Sequence, residues 1–244
     1  MLAIVPAAGR GARMAAVTGG RAKELLPLGS RAVLDRIVEE AAASGARQIV
    51  VVSSPDKPEI AERYGHYPGI TVANQREPLG LGHAIAVGLR SAPTTATRAM
   101  ILLGDTVYAG GSPLGRLSSI GFDGAIAIEP VDADQVSQYG IVALSPQGDR
   151  IMDVVEKPSP ETAPSRYAIA ARYVFSERML DRIAYAATRH EREGIGELGL
   201  TGILRAALAT GKTILRPVTL LGHERRVDCG SPEEYAAAME LTWD

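Results

Sequence analysis

The sequence is poor in several features that mark particular classes of protein. Its single cysteine, Cys229, excludes an internal disulfide framework and favours a reducing compartment. No apolar run approaches the ~20 residues of a membrane span, and the apolar start at residues 1–6 lacks the length and basic flank of a signal peptide. The 26 basic and 28 acidic residues include no basic stretch suited to nucleic acid or to a membrane surface. We therefore expect a cytoplasmic protein that binds small molecules, with no nucleic-acid and no membrane partner.

What remains is the composition of one globular domain. The chain has 244 residues, of which 46% are apolar, so a sizeable core is available and disorder is not expected. This length suits one large domain better than two, on the usual scale of ~100–200 residues per domain. No linker, repeat or low-complexity segment divides the predicted domain, 1–244. The sequence leaves homo-oligomerisation open.

The first half alternates apolar strands with amphipathic helices. Residues 2–5, 48–53 and 99–103 are short, branched and apolar on both faces, as buried parallel strands are. Residues 32–43 and 80–92 place apolar side chains at helical spacing, and the first of these helices has Ser30 as a candidate N-cap and Gly45 as a stop. This order predicts a Rossmann-like α/β fold, with a mixed, mostly parallel central sheet flanked by helices.

From about Gly121 the predicted strands follow one another more closely. They cover residues 124–130, 140–144, 151–157, 167–175, 214–220 and 226–228, and residues 145–148 have the composition of a hairpin turn. One helix is expected near residues 177–187. Another is expected at the end of the chain, where Ser231-Pro232-Glu233-Glu234 supplies an N-cap serine, a first-turn proline and a glutamate at the third position.

The turn after the first strand is a candidate phosphate site. It reads Ala7-Ala8-Gly9-Arg10-Gly11, and such small residues let backbone N–H groups approach phosphate oxygens. A dinucleotide-binding turn would have a third glycine and an acidic residue after the second strand, where this chain has Ser53-Ser54. The cations Arg13 and Lys23 follow instead, which suits a triphosphate better. A tight turn with solvated cations is the alternative at this stage.

Gly211-Lys212-Thr213 imitates the end of a phosphate-binding P-loop. Ala206 stands where that motif needs a glycine, and the segment leads from a helix into a strand rather than from a strand into a helix. We interpret it as the end of a helix.

Several short strings in one order give the chain a family resemblance. Pro6-Ala7-Ala8-Gly9-x-Gly11-x-Arg13 and Lys23-Glu24-x-Leu26-Pro27 resemble the opening of bacterial sugar-1-phosphate nucleotidyltransferases. Further strings follow in the family's order: Gln75 with Leu79-Gly80-Leu81-Gly82-His83-Ala84, Leu103-Gly104-Asp105, Tyr139-Gly140-Ile141-Val142, Val155-Glu156-Lys157-Pro158, residues 168–174, and Asp228-Cys229-Gly230. The resemblance extends from residue 2 to about residue 241 and is greatest to the glucose-1-phosphate uridylyltransferase group.

The resemblance implies a Mg²⁺-dependent transfer of a nucleotidyl group from a nucleoside triphosphate to a sugar 1-phosphate, with release of pyrophosphate. UTP and glucose 1-phosphate are the implied substrates. The attacking phosphate monoester has a second pKa near ~6 and is largely dianionic at neutral pH, so charge neutralisation and positioning suffice. No side-chain nucleophile is then needed. This agrees with the absence of a triad and with the spacing of the histidines, which suits neither metal nor acid–base chemistry: His66, His83, His190 and His223.

On the phosphate side, the resemblance assigns Arg13 and Lys23 to the triphosphate and to the charge of the leaving pyrophosphate. Asp105 lies at the end of an apolar strand and Asp228 lies just before the last helix, and together they are the implied Mg²⁺ ligands. The implied nucleotide-binding residues are Ala7, Ala8, Gly9, Gly11, Gln75 and Gly80. Gln75 has a donor and an acceptor for the O4 and N3–H edge of uracil or thymine.

On the sugar side, the implied residues are Gly140, Glu156, Lys157 and Ala171. Adjacent side chains on a strand point to opposite faces, so we expect Pro158 to end the strand and let Glu156 and Lys157 both reach the cleft. These assignments give a nucleotide-binding lobe at residues 1–110 and a sugar-binding lobe at 111–244.

The chain departs from the family pattern mainly on the sugar side. Relatives tend to have glycine at the position of Ala171 and an aspartate at that of Gly202, and residues 56–69 are shorter here. Another sugar or a cyclitol phosphate, and a thymidylyl, adenylyl or guanylyl donor, therefore stay open. A non-catalytic, ligand-sensing module is a further alternative, but it predicts loss of Arg13, Lys23, Asp105 or Asp228, and all four are present.

Overall fold

Strands and helices alternate in the first half of the chain, and strands predominate in the middle. The structure, a computed structural model, describes residues 1–194 and 196–243. The strands are β1 (Leu2–Pro6), β2 (Pro27–Leu28), β3 (Arg31–Ala32), β4 (Gln48–Ser53), β5 (Ile70–Asn74), β6 (Arg98–Leu102), β7 (Thr106–Ala109), β8 (Gly124–Pro130), β9 (Gly140–Leu144), β10 (Ile151–Glu156), β11 (Tyr167–Ser176), β12 (Leu215–Thr219) and β13 (Arg225–Asp228). The helices are α1 (Ala15–Thr18), α2 (Val33–Ala43), α3 (Pro58–Tyr64), α4 (Leu81–Ser91), α5 (Leu114–Ser119), α6 (Glu177–Glu193), α7 (Leu200–Ala209) and α8 (Pro232–Met239). Short 3₁₀ turns cover Ala12–Met14, Lys23–Leu25 and Val136–Gln138.

One mixed sheet of nine strands, in the order β5-β4-β1-β6-β11-β8-β12-β10-β9, runs through the described residues. β1 is parallel to β4 and β6, whereas β11 is antiparallel to β6 and β8, and β10 is antiparallel to β9 and β12. The predicted α/β fold with a mixed sheet is confirmed, but parallel pairs are not the majority. Short connections such as the β9–β10 hairpin join antiparallel neighbours and cannot make the crossover that a parallel pair needs.

Both faces of the sheet are buried, as the apolar strands predict. Along β1, Ile4 packs into the core on one face while Ala3 and Val5 pack into the core on the other. The first core is covered by α4, α6 and α7, and the second by α2, α3, α5 and α8. No helix among the described residues is long and apolar enough to cross a membrane.

Most predicted elements are confirmed, and α6 continues to Glu193. Ser30 is not the N-cap of α2, because the helix begins at Val33 and the carboxylate of Asp35 accepts a hydrogen bond from the N–H of Ala32 at 2.9 Å. Gly45 follows the end of α2 with a φ of 90°, as expected of a stop. Ser231 caps α8 by accepting from the N–H of Glu234 at 3.3 Å.

The segment that imitates a P-loop is a helix end, as predicted. α7 ends at Ala209, Gly211 has a φ of 67°, and β12 begins at Leu215. The elements missing from the sequence prediction are short: α1, β2, β3, α3, β5, β7 and α5.

A buried ion pair supports the turn after β1. The Nζ of Lys57 donates to both carboxylate oxygens of Glu24 at 2.8 Å and to the backbone carbonyl of Ala7 at 2.8 Å. The Lys57 and Glu24 side chains are only 8% and 2% exposed. Burial raises the pKa of Glu24, although Lys57 acts in the opposite direction. This pair joins the predicted Lys23–Pro27 string to a segment that the sequence analysis left without a role.

We predict that Lys57→Met lowers the free energy of unfolding by about 3–5 kcal/mol, because it leaves the Glu24 carboxylate buried and unpaired. Urea denaturation at neutral pH measures the change. The double variant Glu24→Gln/Lys57→Met should be more stable than Lys57→Met, since it buries no lone charge. A double variant that is less stable than the single one would contradict this account of the pair.

Candidate active site

The turn after β1 lies at the carboxyl edge of the parallel strands. The N–H of Gly104 donates to the carbonyl of Pro6 at 3.0 Å, which ties the end of β1 to the loop after β6. This contact requires glycine, because a Cβ at residue 104 would lie 2.6 Å from the Pro6 oxygen. Within the described part of the chain, no hydrogen bond engages the N–H groups of Ala8, Gly9 and Gly11. These groups are therefore free to bind phosphate oxygens.

Asp105 and Asp228 come together through the antiparallel pairing of β7 with β13. Asp228 lies opposite Thr106 in this pairing and accepts a hydrogen bond from its Oγ1 at 2.9 Å. The N–H of Cys229 donates to the backbone carbonyl of Asp105 at 2.8 Å. The structure thus joins two carboxylates that the sequence predicts at one site.

Cations surround this pair of carboxylates. The Nζ of Lys23, which is almost buried, donates to Oδ2 of Asp105 at 2.5 Å. Arg226 donates to Asp228 and to Glu129. Arg13 is exposed and lies in the 3₁₀ turn Ala12–Met14. It has no ion pair with any residue in the described ranges, and it lines the same cleft as both aspartates.

The pKa values of the two aspartates are shifted in opposite directions. Burial opposes ionisation of Asp105, but the charge and hydrogen bond of Lys23, with help from Arg13, lower its pKa below the ordinary value. Burial raises the pKa of Asp228, and the negative charges of Asp105 and Glu234 add to this effect despite the opposing charge of Arg226. Burial is thus the main reason that the Asp228 carboxyl resists ionisation, and a further cation in the cleft would stabilise its charged form.

These residues fit a hard divalent cation. An additional positive charge would relieve the repulsion at Asp228, and carboxylate oxygens are the ligands that Mg²⁺ prefers. Among the described residues there is no group of three or more metal-ligating side chains. Two carboxylates are enough for Mg²⁺, because it takes its remaining ligands from water and substrate phosphates.

The predicted base-binding residues, Gln75 and Gly80, line a cavity next to the turn after β1. Gln75 follows β5, is 5% exposed and lines a cavity of about 510 Å³ with the turn after β1. Its Nε2 donates to the carbonyl of Gly80 at 3.1 Å and lies 2.9 Å from Nδ1 of His83. Because both amide protons of Gln75 face groups of the protein, only its Oε1 is left to accept a hydrogen bond from a base. Gly80 has a φ of 91°, and a Cβ there would lie 2.8 Å from the backbone of Leu198.

The sugar-side residues line a second cavity, of about 1050 Å³, that also contains Asp105 and Asp228. β10 ends at Glu156, and Lys157 has a φ of 44°, so the chain turns and both side chains line this cavity. This is the expected result, although the change of direction occurs one residue before Pro158. Glu156 accepts a hydrogen bond from Oγ1 of Thr201 at 2.7 Å, and Gly140 lies beside Oε2 of Glu156.

Ala171 lines the same cavity in an unusual conformation. Its φ is 56°, and it lies where the register of β11 against β8 shifts between Ile169 and Tyr173. A residue with a Cβ is strained in this region of φ. The glycine that relatives tend to have at this position would carry no such strain.

The two cavities meet at Asp105. Both are lined by Leu81, Leu103, Asp105 and Glu197, so they form one cleft with the turn after β1 at one end and a Glu-Lys pair at the other. This arrangement brings together all the predicted site residues except that Gly11 is not among those that line either cavity.

Sequence reasoning missed several residues around the cleft. Arg226 is two residues before Asp228 on one strand, and this spacing places both on the same face, so the pattern could have identified it. Its guanidinium also lies 4.3 Å from the ring centre of Tyr139. His83 stands inside the string of residues 79–84 but was given no role, and neither was Thr201, because their partners Glu191 and Glu156 are distant in the sequence.

Known proteins resemble this chain in sequence and in fold. A UTP–glucose-1-phosphate uridylyltransferase of Bacillus subtilis is 30% identical over 239 residues, covering 83% of this chain and 77% of the relative. The enzyme of the same name from Haloferax volcanii is 30% identical over 245 residues, covering 98% of this chain and 96% of the relative. A crystal structure of a UDP-glucose pyrophosphorylase complexed with UDP-glucose superimposes with a TM-score of 0.82 and 25% identity, covering 98% of this chain and 96% of that one. The nucleotidyl transferase family profile matches residues 2–242, and the chain therefore belongs to the nucleotidyl transferase family.

Proposed function

We propose that this enzyme transfers the uridylyl group of UTP to glucose 1-phosphate, giving UDP-glucose and pyrophosphate. The observation that carries the proposal is the single cleft in which a phosphate-binding turn and a Glu-Lys pair meet at Asp105. The names of the relatives supply the two substrates. Residues 1–110 would supply most of the nucleotide side and 111–244 most of the sugar side. The single, buried cysteine supports a cytoplasmic location.

In the proposed reaction, an oxygen of the sugar phosphate attacks the α-phosphorus of UTP. The new P–O bond forms as the bond from the α-phosphorus to its bridging oxygen breaks, and pyrophosphate leaves with that electron pair. The N–H groups of Ala8 and Gly9 bind phosphate oxygens, and Arg13 and Lys23 stabilise the charge that develops on the leaving group. Asp105 and Asp228 would hold Mg²⁺, which when bound supplies further neutralisation of the phosphate charge.

On the acceptor side, Glu156 accepts hydrogen bonds from hydroxyls of the sugar ring and Lys157 binds its phosphate. Gly140 lies beside Glu156, and the absence of a side chain there leaves room for the ring. The hydrogen bond from Thr201 holds the Glu156 carboxylate in place. Substrate is positioned by these contacts for in-line attack.

A second candidate acceptor is another sugar phosphate or a cyclitol phosphate. Two observations favour it, and both concern the sugar end of the cleft. The methyl group of Ala171 lines the cavity, and Gly202 has no atom within 4 Å of the position that a Cβ would take. The acceptor end is therefore narrower at one point and more open at another than the family pattern implies. For the donor, dTTP is the corresponding alternative.

A screen of pyrophosphate release tests the proposal directly. Five nucleoside triphosphates are combined with a panel of hexose and cyclitol phosphates, and kcat/KM is measured for each pair that reacts. We expect UTP with glucose 1-phosphate to lead. If another pair leads, the substrate assignment is wrong, and if no pair reacts while the protein is folded, the proposed activity is wrong.

We predict that Asp228→Asn lowers kcat by on the order of 10²–10³, because it removes a charge that holds the metal at the reacting phosphates. Pyrophosphate release is measured as a function of Mg²⁺ concentration. Asp153→Asn is the matched control, because Asp153 pairs with Arg205 outside the cleft at 3.2 Å. Full activity of Asp228→Asn, or undiminished activity of the native enzyme in excess chelator, would rule out the two-carboxylate metal site.

We predict that Arg13→Ala also lowers kcat by on the order of 10²–10³, the usual loss when one preorganised charge stabiliser is removed. Arg13 is a better test than Lys23, because Lys23 also neutralises Asp105. Arg21→Ala serves as the control, since Arg21 is exposed nearby and lines neither cavity. A loss confined to KM for the sugar phosphate would assign Arg13 to the other substrate.

A further inference from the structure

The carboxamide of Gln75 is held in one direction by the protein. Its Nε2 lies 3.1 Å from the backbone carbonyl oxygen of Gly80. A carbonyl oxygen can only accept, so the group that faces it must be the NH₂ and not the oxygen of the carboxamide. The second amide proton points to Nδ1 of His83, 2.9 Å away.

This contact determines the tautomer of His83. Nδ1 has to accept the proton from Gln75, so in the neutral ring the imidazole proton is on Nε2. Nε2 lies 3.0 Å from Oε1 of Glu191, a carboxylate oxygen that can accept that proton. The donors and acceptors therefore follow one order: Gln75 donates to Gly80 and to His83, and His83 donates to Glu191.

Glu191 is itself fixed by a cation. Arg90 donates to Oε1 at 2.6 Å and to Oε2 at 3.3 Å, which joins α4 to α6. Glu191 is one-third exposed and does not line the cavity that contains Gln75, whereas His83 is nearly buried. The outer part of this chain of hydrogen bonds is thus separate from the surface that a nucleotide would touch.

From these contacts we propose that Glu191 and His83 are positioning residues for base selection, because the tautomer that they stabilise reinforces the Gly80 carbonyl in holding Gln75 with only its oxygen towards the nucleotide. The inference rests on the proposed function of the cleft. Oε1 of Gln75 makes no hydrogen bond to any described residue. It can accept the N3–H of uracil or thymine, whereas N3 of cytosine is an acceptor and would face it unfavourably. The base is then read by a group whose direction is set by the Gly80 carbonyl and reinforced from the outer surface of α6.

Glu191→Lys tests the proposal by reversing the outermost hydrogen bond. A lysine ammonium can only donate, so it favours the tautomer with the proton on Nδ1, and that proton calls for the oxygen of Gln75. The Gly80 carbonyl still calls for the NH₂, so the carboxamide meets two opposed demands and is no longer held in one direction. We expect the ratio of kcat/KM for UTP to that for CTP to fall by about tenfold or more, the scale of one oriented hydrogen bond. The change should lie mainly in KM for the nucleotide, because base contacts are made equally in the ground and transition states.

Two variants of α6 separate this effect from a change of charge. Glu191→Gln keeps an acceptor for His83 and removes the charge, so the ratio should stay near that of the native enzyme. Glu193→Lys makes the same change of charge on the same helix at an exposed residue that pairs with Arg189, and it should leave the ratio unchanged. His83→Leu removes the inner link and should lower the ratio. The ¹⁵N shifts of the His83 ring provide a readout without turnover: the proton should be on Nε2 in the native protein and shift towards Nδ1 in Glu191→Lys.

The outcomes are distinct. A ratio that falls in Glu191→Lys and His83→Leu, but not in Glu191→Gln or Glu193→Lys, supports the proposal. An unchanged ratio in Glu191→Lys and His83→Leu overturns it, and so does an equal fall in Glu191→Gln and Glu191→Lys, which would point to charge rather than proton direction. If the native enzyme does not use UTP, the proposed function has failed, and the ¹⁵N shifts still test the tautomer.

Discussion

The pairing of β7 with β13 is the constraint on which the cleft depends. These two short strands are not part of the large sheet, yet their register sets Asp228 opposite Thr106 and brings Cys229 to the backbone of Asp105. Two carboxylates from distant parts of the chain are thereby held together where burial opposes their ionisation. Such a concentration of charge is unfavourable unless cations are fixed around it. The positions of Lys23 and Arg226 follow from that requirement.

The same cations connect folding with phosphate chemistry. Lys23 pairs with Asp105 and lines the cavity where a triphosphate would lie, and Arg226 donates to both Asp228 and Glu129. A chain with a formal net charge of −2 and no basic stretch can therefore bind a polyanion through a few fixed side chains. Backbone N–H groups at Ala8 and Gly9 add binding capacity without adding charge. The buried Lys57–Glu24 pair has a supporting part, since it fixes the carbonyl at the start of that turn.

The sequence predicts the features that depend on local pattern. β4, β8 and β9 have the predicted bounds, and the strand-end position of Asp105 follows from the apolar run before it. Contacts between distant residues leave no such pattern. Lys57 with Glu24, and Glu191 with His83, pair across 33 and 108 positions, and neither pair has a spacing that marks it. Ser30 shows that a local pattern can also mislead. It is a residue type suited to capping, but the start of α2 is capped by Asp35, whose carboxylate accepts from the N–H of Ala32.

The two ends of the cleft differ in how strongly the fold determines them. On the phosphate side, Gly104, Lys23 and both aspartates make contacts that hold strands and loops together, so a change there affects the fold as well as the chemistry. On the sugar side, no atom lies within 4 Å of the position that a Cβ would take at Gly202, whereas Ala171 is buried and has a strained φ where the register of β11 shifts. A side chain at residue 202 can therefore change without breaking a contact that the fold needs. Under the proposed function, the residues for phosphate transfer are held by contacts that the fold needs, whereas part of the acceptor end, at Gly202, is free of such contacts.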